Sequence, residues 1–172
     1  ECFSATQGRF PAIVKGVMGS PRRRGGLGQL QPFLPMLIHC TGRGEVKHLT
    51  RYEALAPAVA LAGRALYCGF YLNELLMRLL QRNDPHETLF AHYAETLGRL
   101  SGEADLQQVL RLFEVSLLQE LGYGLLLDRE VQHGQPLQPQ RRYQYLFEHG
   151  PVAASGDEPS TVRGATLLAL HR

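Results

Sequence analysis

One feature constrains this chain more than any other: its hydrophobic period changes at Pro57. Before it, apolar residues come in short β-branched runs and alternations closed by Gly or Pro, the signature of strands. After it, no proline occurs from Ala58 to Arg82, and Leu61, Ala65, Leu66, Gly69, Leu72, Leu76 and Leu79 recur at three-and-four spacing. That spacing predicts a long helix with one wide apolar face, and Pro57 suits its first turn. The segment from Leu55 to Leu80 is too charged for a membrane span, since it carries Arg64, Asn73, Glu74 and Arg78.

Three strands are expected in the first part. They are Phe10 to Val17, Leu34 to Cys40 and the alternating Glu45 to Thr50, with a turn at Thr41 to Gly44. Between the first two lies a Gly-, Pro- and Arg-rich loop, Gly19 to Gly28. Short strands with tight turns and a basic loop suit a small barrel of the OB type, although alternation alone leaves an SH3-like barrel open. Beyond the first helix, Asn83 to His86 form a break, with Asp84 placed to cap the next helix. That helix turns Leu89, Phe90, Tyr93, Leu97 and Leu100 to one face. A third, from about Ala104 to Leu121, buries Leu106, Val109, Leu110, Phe113, Leu117 and Leu121 and stops at Gly122-Tyr123-Gly124. Residues 128–160 are polar, with a strand at Tyr143 to Phe147, and a short helix begins near Val162. The expected fold class is therefore α+β. It has an OB-like barrel over 1–56 and a helical bundle over 57–172, with a small irregular β segment before a C-terminal helix.

Charge divides the same way. Among 172 residues, the first 53 hold eight Lys or Arg against three Glu, whereas the remainder is mildly acidic. A basic first third points to a polyanion. Arg22, Arg23 and Arg24 sit among glycines, where their guanidinium forks can reach phosphate oxygens. Arg9, Lys15, Arg43 and Lys47 flank them on the expected strands and turns. Phe3, Phe10, Phe33 and Tyr52 could stack on bases or fill the core. Tyr67, Tyr71 and Glu74 share one helix face that suits either a core contact or a partner groove.

No catalytic signature appears: no nucleophile elbow, phosphate-loop lysine, His-Glu-x-x-His or carboxylate cluster for metal ions. An enzyme and a cofactor are therefore not expected. The seven histidines lack metal-ligand spacing with cysteines, and His133 and His149 read as loop residues. Cys2, Cys40 and Cys68 are too few and too scattered for a disulfide framework, which fits a reducing cytoplasm. The opening Glu1-Cys2-Phe3-Ser4 reads like the inside of a strand, so an earlier strand is expected to be missing.

Several stretches together resemble the bacterial RecO family of recombination mediators. They are Gly8-Arg9, Val14-Lys15-Gly16, Leu30-Gln31-Pro32-Phe33, Gly42 to Lys47, Glu53-Ala54, Leu66-Tyr67, Tyr71 to Leu76, and Phe113-Glu114 through to Gly124. The resemblance implies an N-terminal OB barrel and a helical domain. It implies binding of single- and double-stranded DNA, annealing of complementary strands and, with RecR, help in loading RecA onto DNA coated by single-stranded DNA-binding protein, in the bacterial cytoplasm at the nucleoid. It places Arg111 where the carboxylate end of that protein's tail would be met, beside an apolar cleft to which Phe90, Leu97 and Leu110 are assigned. Many relatives hold zinc with four cysteines. Here the corresponding stretch is Glu130-Val131-Gln132-His133-Gly134 and no cysteine follows Cys68, so no zinc is expected. The alternative is an adaptor that binds the protein tail and uses its barrel only as scaffold.

Overall fold

The structure, a computed structural model, describes residues 1–14, 30–102, 104–156 and 159–171. It divides into two compact units, Glu1–Leu110 and Arg111–Arg172. The expected boundary at 56/57 falls inside the first unit, because strands and helices interlock there through specific bonds. The Asn83 amide donates to the Arg9 carbonyl at 2.8 Å and the Val59 amide to the Phe33 carbonyl at 3.1 Å. Phe3 packs edge-on against Phe90 and Tyr93, with ring centroids 5.4 and 6.0 Å apart.

In the first unit, β1 (Cys2–Ser4) and β2 (Gly8–Phe10) form an antiparallel pair. A separate sheet has the order β3-β5-β4, from β3 (Ala12–Ile13), β4 (Met36–Thr41) and β5 (Lys47–Ala54). The described part of the expected strand from Phe10 to Val17 is split at Pro11, which has no N–H for a ladder, so that Phe10 ends β2 and Ala12–Ile13 form β3; Lys15 to Val17 lie outside the described residues. Pro11 still accepts a bond through its carbonyl from the Lys47 amide at 2.9 Å. Among the described residues no ladder joins the two sheets, so the expected closed OB barrel is not formed by them. What stands is a mixed α+β chain with small sheets.

Three helices follow. α1 (Gly63–Leu79) buries Gly69, Leu72 and Leu76, as its period requires, but Leu79 is exposed at its end. α2 (Glu87–Leu100) buries Leu89, Thr96, Leu97 and Leu100. His86, not Asp84, occupies its N-cap, with no side-chain bond to the helix. Asp84 has another constraint: its backbone packs against Gly8, where a Cβ would lie 1.9 Å from the Asp84 carbonyl oxygen. α3 (Leu106–Glu120) starts where the Asp105 carboxylate accepts the Gln107 amide at 2.9 Å. It stops in a Schellman turn: Tyr123 donates to the Leu118 carbonyl, Gly122 to that of Gln119, and Gly122 takes φ +82°.

The second unit holds a sheet of order β7-β6-β8, from β6 (Arg142–Leu146), β7 (Gly150–Ala153) and β8 (Thr161–Arg163), then α4 (Gly164–His171). Its core is Val115, Leu127, Leu137, Tyr143 and Leu167. The sequence placed β6 one residue later and did not foresee β8, which occupies the expected start of the last helix near Val162, so that the helix begins at Gly164. No described helix is long and apolar enough to cross a membrane.

Candidate nucleic-acid interface

The site is built on the β4-β5 pair. Regular alternation from Leu49 would turn Arg51 to the buried side. The ladder instead pairs Cys40 with Leu49 and His39 with Arg51, leaving Thr50 as an extra residue. This bulge re-aims the strand. Leu49 and Tyr52 both stay on the covered side, and Arg51 comes out on the exposed face. The Thr50 hydroxyl pins the bulge by donating to the His39 carbonyl at 3.0 Å.

Arg51 therefore stands directly across from His39, and His48 across from Thr41, on a face that also carries Leu37 and Glu53. Arg51 makes no ion pair among the described residues. Such a face offers the Arg51 guanidinium, the His39 imidazole and the Thr41 hydroxyl to phosphate oxygens, while the exposed Glu53 carboxylate opposes them and His48 is half-buried. Periodicity reasoning missed Arg51, His39 and His48 as a group. The signal that could have found them is the spacing of Leu49 and Tyr52, three apart in a strand whose period is two.

The residues expected to form the site are distributed differently. Arg9 turns inward, with only 14% of its side chain exposed. Its guanidinium donates to the Leu80 carbonyl at 3.1 Å and meets the Glu1 carboxylate at 3.4 Å. Arg9 thus ties β2 to the end of α1, a structural task. Lys47 lies on the other side of the sheet from Arg51. It borders a hollow of about 340 Å³ with Phe10, Met36, Ile38 and Cys40. Burial pushes the Cys40 thiol up from its ordinary value, and the Lys47 ammonium opposes that rise. Arg43 is exposed on the turn between β4 and β5. Lys15, Arg22, Arg23 and Arg24 lie outside the described residues. Of the aromatics offered for stacking, Phe10 is buried and Phe3 is engaged by Phe90 and Tyr93. Phe33 packs on Phe70 at 5.3 Å.

The expected partner-binding residues are separated by burial. Leu97 is in the core, while Phe90 and Leu110 are half-buried. Arg111 has 62% of its side chain exposed and is paired with Glu114 one helical turn on.

The stretch from Glu130 to Gly134, for which no zinc is expected, has its own organisation. The buried Glu130 carboxylate accepts the Gln132 amide at 3.0 Å and the His133 amide at 2.7 Å, and meets His133 Nδ1 at 3.1 Å. Burial works against the charge, but these donors outweigh it and hold the carboxyl below its ordinary range. One carboxylate and one imidazole do not make the donor set of a structural zinc site. The carboxylate's lone pairs are, moreover, spent on closing the turn. Among the described residues no group of three or more His, Cys, Asp or Glu could hold a metal ion.

The class these features define is a two-unit α+β protein with an open, polar sheet face that carries Arg51 and Glu53, and with polar turns fixed by side chains. Residues 61–170 match the family model described as Recombination protein O C terminal. The DNA repair protein RecO of Methylococcus capsulatus is 47% identical over 171 residues, covering 99% of this chain and 69% of that protein. Those of Nitrosospira multiformis and Nitrosococcus oceani are 45% and 46% identical, each covering all of this chain and 72% and 70% of their own length. The chain belongs to the RecO family of DNA repair proteins.

Proposed function

We propose that the chain is a non-catalytic mediator of DNA repair and homologous recombination. It binds single- and double-stranded DNA, anneals complementary strands and, with RecR, helps RecA load onto DNA coated by single-stranded DNA-binding protein. Membership of the family supports the general role. The observation that carries the binding step is the bulge that sets Arg51 beside His39 on an open sheet face. In this reading the β3-β5-β4 sheet is part of an OB-like barrel. Arg43 on the adjoining turn adds a cation to this face, Lys15, Arg22, Arg23 and Arg24 supply further phosphate contacts, and Lys47 contributes from the other side of the sheet. Arg9 is excluded from them by its bonds to Leu80 and Glu1.

Annealing requires two phosphate chains to be neutralised close together, which is an electrostatic task needing no covalent step. The test is a double charge reversal, Arg43→Glu with Arg51→Glu, measured by anisotropy of a fluorescent oligonucleotide. Both residues are exposed, so folding should persist. The expected result is binding weakened about tenfold or more, with slower annealing, since two phosphate contacts become repulsions. Unchanged affinity at moderate salt would remove this face from the site.

The partner's tail is proposed to dock at Arg111. Its guanidinium is open to solvent and paired with Glu114, so an incoming carboxylate can exchange with Glu114. Arg111→Ala should abolish binding of an acidic C-terminal peptide and leave oligonucleotide binding intact. Loss of both together would count against separate sites.

A further inference from the structure

The second unit holds a polar hollow that the proposed function does not use. Its volume is about 270 Å³, and its polar lining is Glu130, His133, Gln135, Gln138, Arg141 and Tyr143. The walls are built by local bonds. The Glu130 amide donates to the Gln135 carbonyl and the Leu137 amide to that of Asp128, each at 2.9 Å, which closes residues 128–137 into a hairpin. The next turn is fixed from both sides. The Arg141 amide donates to the Gln138 carbonyl at 3.1 Å, and the Arg141 carbonyl accepts the Gly164 amide at 2.8 Å. Gly164 leaves no room for a side chain, since a Cβ there would run into the Gln138 carbonyl. Tyr143 on β6 and Ala153 on β7, directly opposed in the ladder, complete the lining.

Two groups around this hollow have protons to give and no acceptor for them. The Arg141 backbone is held, yet its side chain is exposed and makes no ion pair among the described residues. The Tyr143 hydroxyl belongs to an almost fully buried residue and accepts the Gln138 amide at 2.9 Å. Its own proton meets no acceptor among the described residues. A buried donor without an acceptor is costly, so one is supplied from outside the chain. The space exceeds what a single structural water fills, because at about 30 Å³ each it holds about nine. Glu130 is the one acid in the lining, and its charge opposes an anion. Three donors already answer that charge, the Gln132 and His133 amides and His133 Nδ1, and it makes no ion pair with Arg141.

The missing partner is therefore rich in acceptor oxygens. A phosphate takes a guanidinium fork and a hydroxyl proton together. A phosphate alone leaves much of the hollow empty. The remainder offers the side-chain amides of Gln135 and Gln138, which both donate and accept, beside the apolar surface of Pro136 and Ala153. That mixture suits one sugar and one base. The volume lies just below the range for drug-sized ligands, about 300 Å³ upward, so it admits one nucleotide and not a run of them.

We propose that this hollow is a phosphate-monoester site for a single nucleotide, with Arg141 and the Tyr143 hydroxyl on the phosphate. The phosphorylated end of a strand and a free mononucleotide share that chemistry, and the experiment separates them. The proposal does not rest on the β4-β5 face, so each can fail alone.

The whole chain is titrated with a 5′-deoxymononucleotide by calorimetry. Oligothymidylates with and without a 5′-phosphate are followed by anisotropy. The variants are Arg141→Gln, Tyr143→Phe and, as an exposed cation that does not line the hollow, Arg163→Gln. Thermal melting checks that each is folded. Arg141 is exposed, so Arg141→Gln tests the site even if Tyr143→Phe does not fold. The mononucleotide should bind at millimolar concentration or below, and the nucleoside without phosphate should not. Arg141→Gln should weaken binding about tenfold or more and Tyr143→Phe about fivefold. Arg163→Gln should bind as the parent does. Arg51→Glu should leave mononucleotide binding unchanged, whatever it does to strand binding. If the 5′-phosphate raises oligonucleotide affinity and Arg141→Gln removes the gain, the ligand is a strand end. If the mononucleotide binds through Arg141 without such a gain, the ligand is a free nucleotide. Either result upholds the site. Failure of the parent to bind the mononucleotide, with no gain from the 5′-phosphate, would overturn it. Equal losses in Arg141→Gln and Arg163→Gln would overturn it too, since they would reduce the effect to general positive charge.

Discussion

Replacing Gly8 with alanine tests the way the first unit is tied together. Gly8 sits in β2 with φ +64°, a region that costs an L-residue about 1 kcal/mol. The larger cost is spatial. A Cβ there would lie 1.9 Å from the Asp84 carbonyl oxygen, 2.5 Å from its carbon and 2.9 Å from its nitrogen. These are backbone atoms, so no side chain can swing aside. The strand and the 83–84 segment must part by more than 1 Å, which breaks the Asn83-to-Arg9 bond of 2.8 Å and misaligns the Arg9-to-Leu80 bond of 3.1 Å. Two part-buried hydrogen bonds at about 1 kcal/mol each, added to the backbone term, give about 3 kcal/mol. For a chain of this size that is a fall in melting temperature of about 6 to 12 °C. Circular dichroism during heating measures it, and amide exchange at Arg9 and Asn83 localises it. Gly8→Ala melting within 2 °C of the parent, with Asn83 still protected, would show that the close approach of β2 to residue 84 is not a feature of the protein.

In the second unit, Tyr143 is almost fully buried and its hydroxyl accepts the Gln138 amide at 2.9 Å. Tyr143→Phe should cost about 1 to 2 kcal/mol by stranding that amide, read as a melting temperature a few degrees lower. A gain in stability would show that water satisfies the amide instead. The Glu130 turn should make the second unit acid-sensitive. A carboxyl held below its ordinary value of 4.5 stabilises fully above that value, and the contribution is lost as pH falls through the lower folded value. Melting below pH 4 should therefore bring Glu130→Gln and the parent together, with the parent more stable at pH 7. Equal stability of the two at pH 7 would contradict this.

What could be read from the residues depended on how local the cause was. The α1 period and the Gly122 stop were legible because both are set within one or two turns of chain. Pro11 as a strand break was equally local, yet the β-branched run around it concealed the interruption. Arg9 was misleading for a different reason. Its partner, the Leu80 carbonyl, is 71 residues away and becomes relevant only once β2 lies beside the end of α1. The candidate face was hidden by a single inserted residue. With Thr50 counted in the alternation, Arg51 belongs to the covered side; with Thr50 bulged, it belongs to the open one. The pairing of β6 with β8 was also beyond reach, because β8 is three residues long and gives no periodic signal.

The account stands on a sugar-phosphate chain being held by fixed positive charge, and the salt dependence of binding measures that most directly. Affinity for a fluorescent single strand should be determined at 50 mM and 200 mM salt. About five phosphate contacts give a slope near −3.5 on logarithmic axes, so the fourfold rise should weaken binding about a hundredfold. An affinity that is the same at both concentrations would contradict it.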